Sequence, residues 1–268
     1  MPELDQVSAQ RWIDRWERQQ EVSLPDREER FTALIDAVAE GTGRADPLVI
    51  DLGCGPGSLS VRLLGRLPQA TVVAVDADPV TLTLGRTAYA GRPGLRFAEQ
   101  DLRTPGWAAA LGLDTPVDAA VSTTALHWLS EPQLRAVYAE LATVLRPGGL
   151  LLDGDHLGAD PAATPALAAL ERALLAREEG RRFPDGHDES WLGWWQAVSA
   201  DPALVRLAAE RDRRSVDAGH HSSSPSSLLT THVDALRAAG FTEIGTLWQR
   251  GADRLLCGVL GSPAQKPA

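Results

Sequence analysis

Cysteine is nearly missing from this chain of 268 residues: Cys54 and Cys257 are the only two, too few for a disulfide framework and without metal-binding spacing. No stretch approaches the roughly 18 consecutive apolar residues of a membrane span. The first residues, rich in Asp, Glu, Arg and Gln, hold no apolar core of a signal peptide, so the expected location is the cytoplasm. A basic face is also lacking, and a formal net charge of −10 argues against a nucleic-acid partner. The six histidines show neither H-x-x-x-H spacing nor a carboxylate cluster, so no metal is expected. What is present is ordinary for a soluble globular protein: 44% hydrophobic and 23% charged residues, enough for one α/β domain with an insertion.

The chain is organised around Leu48 to Ser58, L-V-I-D-L-G-C-G-P-G-S. Its unbroken apolar run suits a parallel strand covered on both faces. Gly53, Gly55 and Gly57 then recur at every second position, and a helical period follows at Leu59, Leu63, Leu64 and Leu67 until Pro68. Strand, tight turn and helix is the arrangement that brings backbone amides and a helix N-terminus against a ligand. The third glycine comes one position too early for G-x-G-x-x-G, and Asp51 precedes the first. D-x-G-x-G-x-G with a preceding strand resembles the first motif of the class I S-adenosylmethionine (AdoMet) methyltransferases.

A second strand, Thr71 to Val75, ends in Asp76-Ala77-Asp78-Pro79. Asp76 stands 19 positions beyond Gly57, where a nucleoside-binding α/β site places a carboxylate on the ribose, at about 20. Asp78 before Pro79 reads as the cap of the next helix. A third strand, Leu95 to Glu99, runs into Gln100-Asp101-Leu102; in the family an acid here meets the adenine amino group, with the next residue supplying an amide. A plain helix-capping role for Asp101 stays open. The resemblance continues through Val117 to Leu129 and Leu145 to Asp155, and is similar to the small-molecule branch that includes trans-aconitate methyltransferase, which often carries a His-Trp pair after strand four.

That resemblance implies a Rossmann-like sheet of seven mostly parallel strands, the last antiparallel, with helices on both faces and a helical cap inserted after strand five. It implies AdoMet as cofactor and S-adenosylhomocysteine as product. The cofactor residues are then Asp51, Gly53, Cys54, Gly55, Gly57, Asp76, Ala77, Asp101, Leu102 and Ser122. Cys54 reads as a small residue filling the turn rather than a nucleophile. In relatives the N-terminal helices often fold over the cofactor mouth, so residues 1–44 are expected to form a lid, with Trp12 and Trp16 at i and i+4 toward the substrate. Plain docking of that helix by its Trp pair stays an equal alternative.

Residues 45–155 and 231–260 are expected to form the cofactor domain, 156–230 the cap, and 261–268 a frayed tail. Ser130-Glu131-Pro132-Gln133 is a capping box ahead of an apolar helical stripe from Leu134 to Leu145. In the cap, Trp191, Trp194 and Trp195 crowd one short helix; Trp195 is taken as a substrate-wall residue, with packing of the cap as the alternative.

Methyl transfer from a sulfonium is a displacement that alignment alone can drive; a base is needed only where the acceptor must lose a proton. His127 after strand four and His156 after strand five both fall at the edge where such sheets bind ligands. His127 is the expected base or positioning group, with Trp128 and His156 beside the substrate, and a packing role for His127 remains open. His187, His220, His221 and His232 read as solvated. The partner expected is a small molecule, with the protein a monomer or homodimer and O-, N- or C-methylation undecided. Two other classes remain: an NAD(P)-dependent reductase, and an AdoMet-fold protein that does not use the methyl group.

Overall fold

The computed structural model describes residues 4–24, 26–182, 189–217 and 228–262. Two helices, α1 (Gln6–Ser23) and α2 (Arg27–Thr42), precede the first strand, β1 (Leu48–Leu52). Strands and helices then alternate: α3 (Ser58–Arg66), β2 (Thr71–Asp76), α4 (Pro79–Ala88), β3 (Leu95–Glu99), α5 (Trp107–Ala110) and β4 (Val117–Thr123). A single 3-10 turn (Leu126–Trp128) leads to α6 (Glu131–Val144) and β5 (Leu145–His156). The insertion holds α7 (Pro165–Arg182), α8 (Trp191–Ala200) and α9 (Val205–Asp217), and α10 (Leu229–Ala239), β6 (Phe241–Arg250) and β7 (Asp253–Leu260) close the fold.

One seven-stranded sheet results, in the order β3-β2-β1-β4-β5-β7-β6, with β7 antiparallel to both neighbours. The apolar runs of β1, β2 and β4 lie at its centre and are buried on both faces, whereas β3 and β6 alternate more exposed residues at the edges. The capping box forms as the sequence predicts: Ser130 N donates to Gln133 Oε1 at 2.8 Å, fixing the start of α6. Tyr138 and Leu141 of α6 then pack on the face that carries Ile50, Val73 and Leu151.

The other face is covered in part by α2. Phe31, Leu34, Ile35 and Val38 pack there with Val49, Val121 and Leu152, so α2 is a flanking helix of the sheet. The α1 helix packs instead on α4 and α8. The insertion also divides. Glu171 of α7 pairs with Arg254 of β7 at 2.5 Å, while α9 packs on α4. No helix among the described residues is long and apolar enough to cross a membrane.

One histidine departs from expectation. His232 of α10 is fully buried, its Nδ1 2.7 Å from Tyr138 Oη and 3.3 Å from Asp153 Oδ2, because α10 packs on α6 over the sheet. The other three histidines read as solvated, and the end of the tail from 263, lie outside the described residues.

Candidate functional site

The glycine loop runs from the end of β1 into α3 with Gly53, Gly55 and Gly57 at φ of 67°, 54° and 91°. A side chain at any of them would be strained by that backbone alone. At Gly53 and Gly57 space is also denied: a Cβ would stand 2.3 Å from Ala125 Cβ and 2.9 Å from Phe97 Cζ. Gly53 N and Cys54 N both donate to Val75 O, at 2.8 and 3.0 Å, which hangs the loop on the end of β2. Cys54 is buried, its thiol directed to Gly55 O and its pKa pushed well up by burial, in keeping with a turn-filling role.

Asp76 braces the same loop. Its Oδ2 accepts from Gly55 N at 2.7 Å and its Oδ1 from Asp78 N at 2.9 Å, while part of the residue's surface stays open. Each carboxylate oxygen retains a second lone pair, so both bonds leave capacity for sugar hydroxyls. Burial, and after it the charge of Asp78, pushes the carboxyl up to about 6. Beneath the loop Asp51 is fully enclosed; Ser60 Oγ donates to its Oδ2 at 2.6 Å and its Oδ1 has no protein partner. Burial first raises Asp51 to about 7, with the Ser60 bond opposing and Asp76 adding to the rise. An unsatisfied buried carboxylate oxygen beneath positive-φ glycines, beside an acid with spare acceptor capacity, is an acceptor set that fits a nucleoside with a cationic tail.

Four other expected cofactor residues have partners or neighbours of their own. Ser122 is fully buried and donates to Leu52 O at 3.0 Å, a tie between β4 and β1 and not an open ligand. Asp101 gives both carboxylate oxygens to the guanidinium of Arg103, at 2.7 to 3.1 Å, and burial notwithstanding this holds its pKa down. Leu102 beside it is half-buried and packs toward the core. Ala77 O accepts from Arg214 of α9 at 2.9 Å, and Arg211 Nε donates to Asp78 Oδ2 at 2.8 Å. Asp78 also caps α4 through Val80 N and Thr81 N, as the sequence predicts. Nothing in the sequence pattern ties α9 to this edge; the contact is purely tertiary.

His127 sits in the 3-10 turn after β4, whose Ala125 lies against Gly53. Its Nδ1 is 2.9 Å from both oxygens of Asp155, near the end of β5, which is fully buried. Burial opposes ionisation of Asp155, yet the His127 bond and charge, helped by Arg30, hold the carboxyl below its usual range. The ionised acid therefore accepts, and Nδ1 carries the hydrogen. The sequence did carry a signal for Asp155: it adjoins His156 where β5 ends. His156 is mostly enclosed, with burial depressing its pKa, and its backbone N donates to Asp155 Oδ1 at 2.8 Å.

The α1 helix lies against the glycine loop. Ser58 Oγ of the glycine loop donates to Glu17, and Trp16 lies 3.8 Å from where a Cβ of Gly55 would be. Trp195 packs edge-on behind Trp16, with centroids 6.4 Å apart. Trp12 is buried, meets Trp194 edge-on at 5.7 Å and donates Nε1 to Asp201 at 3.1 Å, so the expected substrate contact is replaced by docking of α1 on α8. Trp194, part of the cluster for which packing of the cap was the alternative, is the hub of this packing, with edge contacts to Trp12, Trp16 and Trp195.

Sheet order, reversed last strand, glycine loop and the acid closing β2 define the class I fold of AdoMet-dependent methyltransferases. Sequence comparison agrees: residues 49–149 match the family described as a methyltransferase domain. The trans-aconitate 2-methyltransferase of Azoarcus sp. (strain BH72) is 37% identical over 136 residues, 51% of this chain and 49% of that protein. The malonyl-[acyl-carrier protein] O-methyltransferase of Hahella chejuensis is 36% identical over 138 residues, 50% of this chain and 43% of its own length. The chain thus spans about half the length of the curated relatives it matches. An O-methyltransferase family protein from Burkholderia thailandensis shares the fold, with a TM-score of 0.51, 21% identity, and coverage of 97% of this chain and 64% of that one.

Proposed function

We propose that this protein transfers a methyl group from AdoMet to a small-molecule acceptor, with His127 as the group that takes up or steers the acceptor's proton. The observation that carries this reading is that the His127–Asp155 pair and the Asp76-braced glycine loop stand at the same end of two adjacent strands, with Ala125 of the His127 turn against Gly53 and Trp16 against Gly55. In this reading the loop amides, Asp76 and Asp51 hold the nucleoside and its amino-acid tail. When bound, AdoMet supplies an electrophilic methyl whose bond pair leaves with sulfur as a neutral thioether. The chain's own part is to align the acceptor, exclude water beneath α1, and receive a proton at His127 Nε2 while Asp155 fixes the Nδ1 tautomer. α1, α8 and α9 are the lid and cap of the site, and the protein works in the cytoplasm as a monomer or homodimer.

The test is transfer of labelled methyl from AdoMet to a set of hydroxyl, amine and carboxylate acceptors. Label should enter an acceptor, and His127→Ala should cut turnover by about 10²-fold or more while S-adenosylhomocysteine affinity holds. Cofactor binding without transfer to any acceptor would favour a non-methylating AdoMet-fold protein, and full activity in the His127 variant would return that residue to a packing role.

A further inference from the structure

Where β2 turns into α4, successive residues are tied down, and helix α9 of the insertion makes two of the ties. Asp76 Oδ1 accepts from Asp78 N at 2.9 Å, which keeps the two acidic residues close. Arg211 of α9, 133 positions further along the chain, donates from Nε to Asp78 Oδ2 at 2.8 Å. Arg214, one turn later, donates to Ala77 O at 2.9 Å and pairs with Glu99 of β3 at 3.0 Å. The other oxygen of Asp78, Oδ1, accepts from Val80 N and Thr81 N and so caps α4. Asp78 thus gives one oxygen to the helix and one to Arg211.

A helix cap needs no arginine, since an aspartate accepts from the first-turn amides unaided. The charge of Asp76 does need one. Neighbouring carboxylates oppose each other's ionisation, and burial first and Asp78 after it already push the Asp76 carboxyl up. The ribose hydroxyls assigned to Asp76 bond an ionised carboxylate about twice as strongly as a neutral acid. A guanidinium on Asp78 offsets that repulsion at its source. Arg211 is held in place for this: its guanidinium lies 3.6 Å over the ring of Trp195, which is buried behind Trp16, and its Nη1 meets Asp212 at 3.5 Å.

We infer that Arg211 is a positioning residue of the nucleoside site, holding Asp78 so that Asp76 meets the ribose as a carboxylate, and that α9 therefore serves the cofactor as well as the cap. This rests on the ribose assignment of Asp76. Arg211 acts through Asp78 and takes no part in the displacement itself.

The experiment is calorimetric titration of S-adenosylhomocysteine into the full chain carrying Arg211→Gln, Asp78→Asn or both, with Asp76→Ala beside them. Arg211→Gln should weaken binding by about tenfold, and adding Asp78→Asn should restore affinity to within about twofold of wild type, because the charge that needed an arginine is gone. Asparagine caps a helix as aspartate does, and the Arg211–Asp78 pair is partly exposed, so both substitutions should leave the fold in place. Wild-type affinity in Arg211→Gln would overturn the inference. So would a loss that Asp78→Asn does not repair, since Arg211 would then serve only the packing of α9 on Trp195. If Arg211→Gln does not fold alone, the double variant is compared with Asp78→Asn: equal affinity is expected, and a further loss of about fivefold or more overturns the inference. Binding that Asp76→Ala leaves unchanged would instead strike the ribose assignment, whatever the Arg211 variants do.

Discussion

At the scale of single residues, Asp76 carries two loads, since the carboxylate that braces Gly55 is also the one assigned to the ribose. Asp76→Ala should weaken S-adenosylhomocysteine binding by about 1 to 3 kcal/mol, the loss expected for a hydrogen-bonded charge, measured by fluorescence titration. Unchanged affinity would remove the ribose assignment. Asp51 and Asp76, raised to about 7 and about 6, also make a pH prediction. Both fold with a pKa above the unfolded value of 3.8, so the stability they contribute is full below that value and is lost as pH rises through 6 to 7. A cationic ligand favours their ionised forms, so AdoMet affinity should move the other way, rising from pH 5 to 7.5 with protons released on binding. Affinity flat across that window would count against both acids. Asp155→Asn should lower kcat with little change in KM, because the acid acts through His127 and not on the acceptor. Residue roles were only partly legible beforehand. The glycines and Asp76 could be read because backbone geometry dictates residue type and spacing there, while the partners of Ser122 and Ala77, Leu52 O and Arg214, lie far along the chain.

At the scale of elements, the alternating strands and helices from β1 to β5 were legible because buried parallel strands leave uninterrupted apolar runs between helical periods. The placement of α1, α2 and α9 was not. An amphipathic helix announces that it has an apolar face but not which surface covers that face, so α2 reads like α1 although it flanks the sheet. The joint between α1 and α8 rests on Trp194, fully buried among Trp12, Trp16 and Trp195. Trp194→Ala should cost about 3 to 5 kcal/mol, read from the urea midpoint, if that joint unfolds with the domain. A loss confined to activity, with the midpoint unmoved, would mean that α1 and α8 separate independently of the core.

For the molecule as a whole, the fold brings together at one sheet edge four regions far apart in sequence: the glycine loop, the turn after β4, the end of β5, and the α1–α8–α9 cover. Ligand binding there should stabilise the entire chain by linkage, about 2.7 kcal/mol at a hundredfold excess over Kd, visible as a higher unfolding temperature. The most direct test is a calorimetric titration of the wild-type chain with S-adenosylhomocysteine, run beside one with NADH. The account predicts saturable one-to-one binding of S-adenosylhomocysteine and no heat from NADH; saturation by NADH with silence from S-adenosylhomocysteine would contradict it.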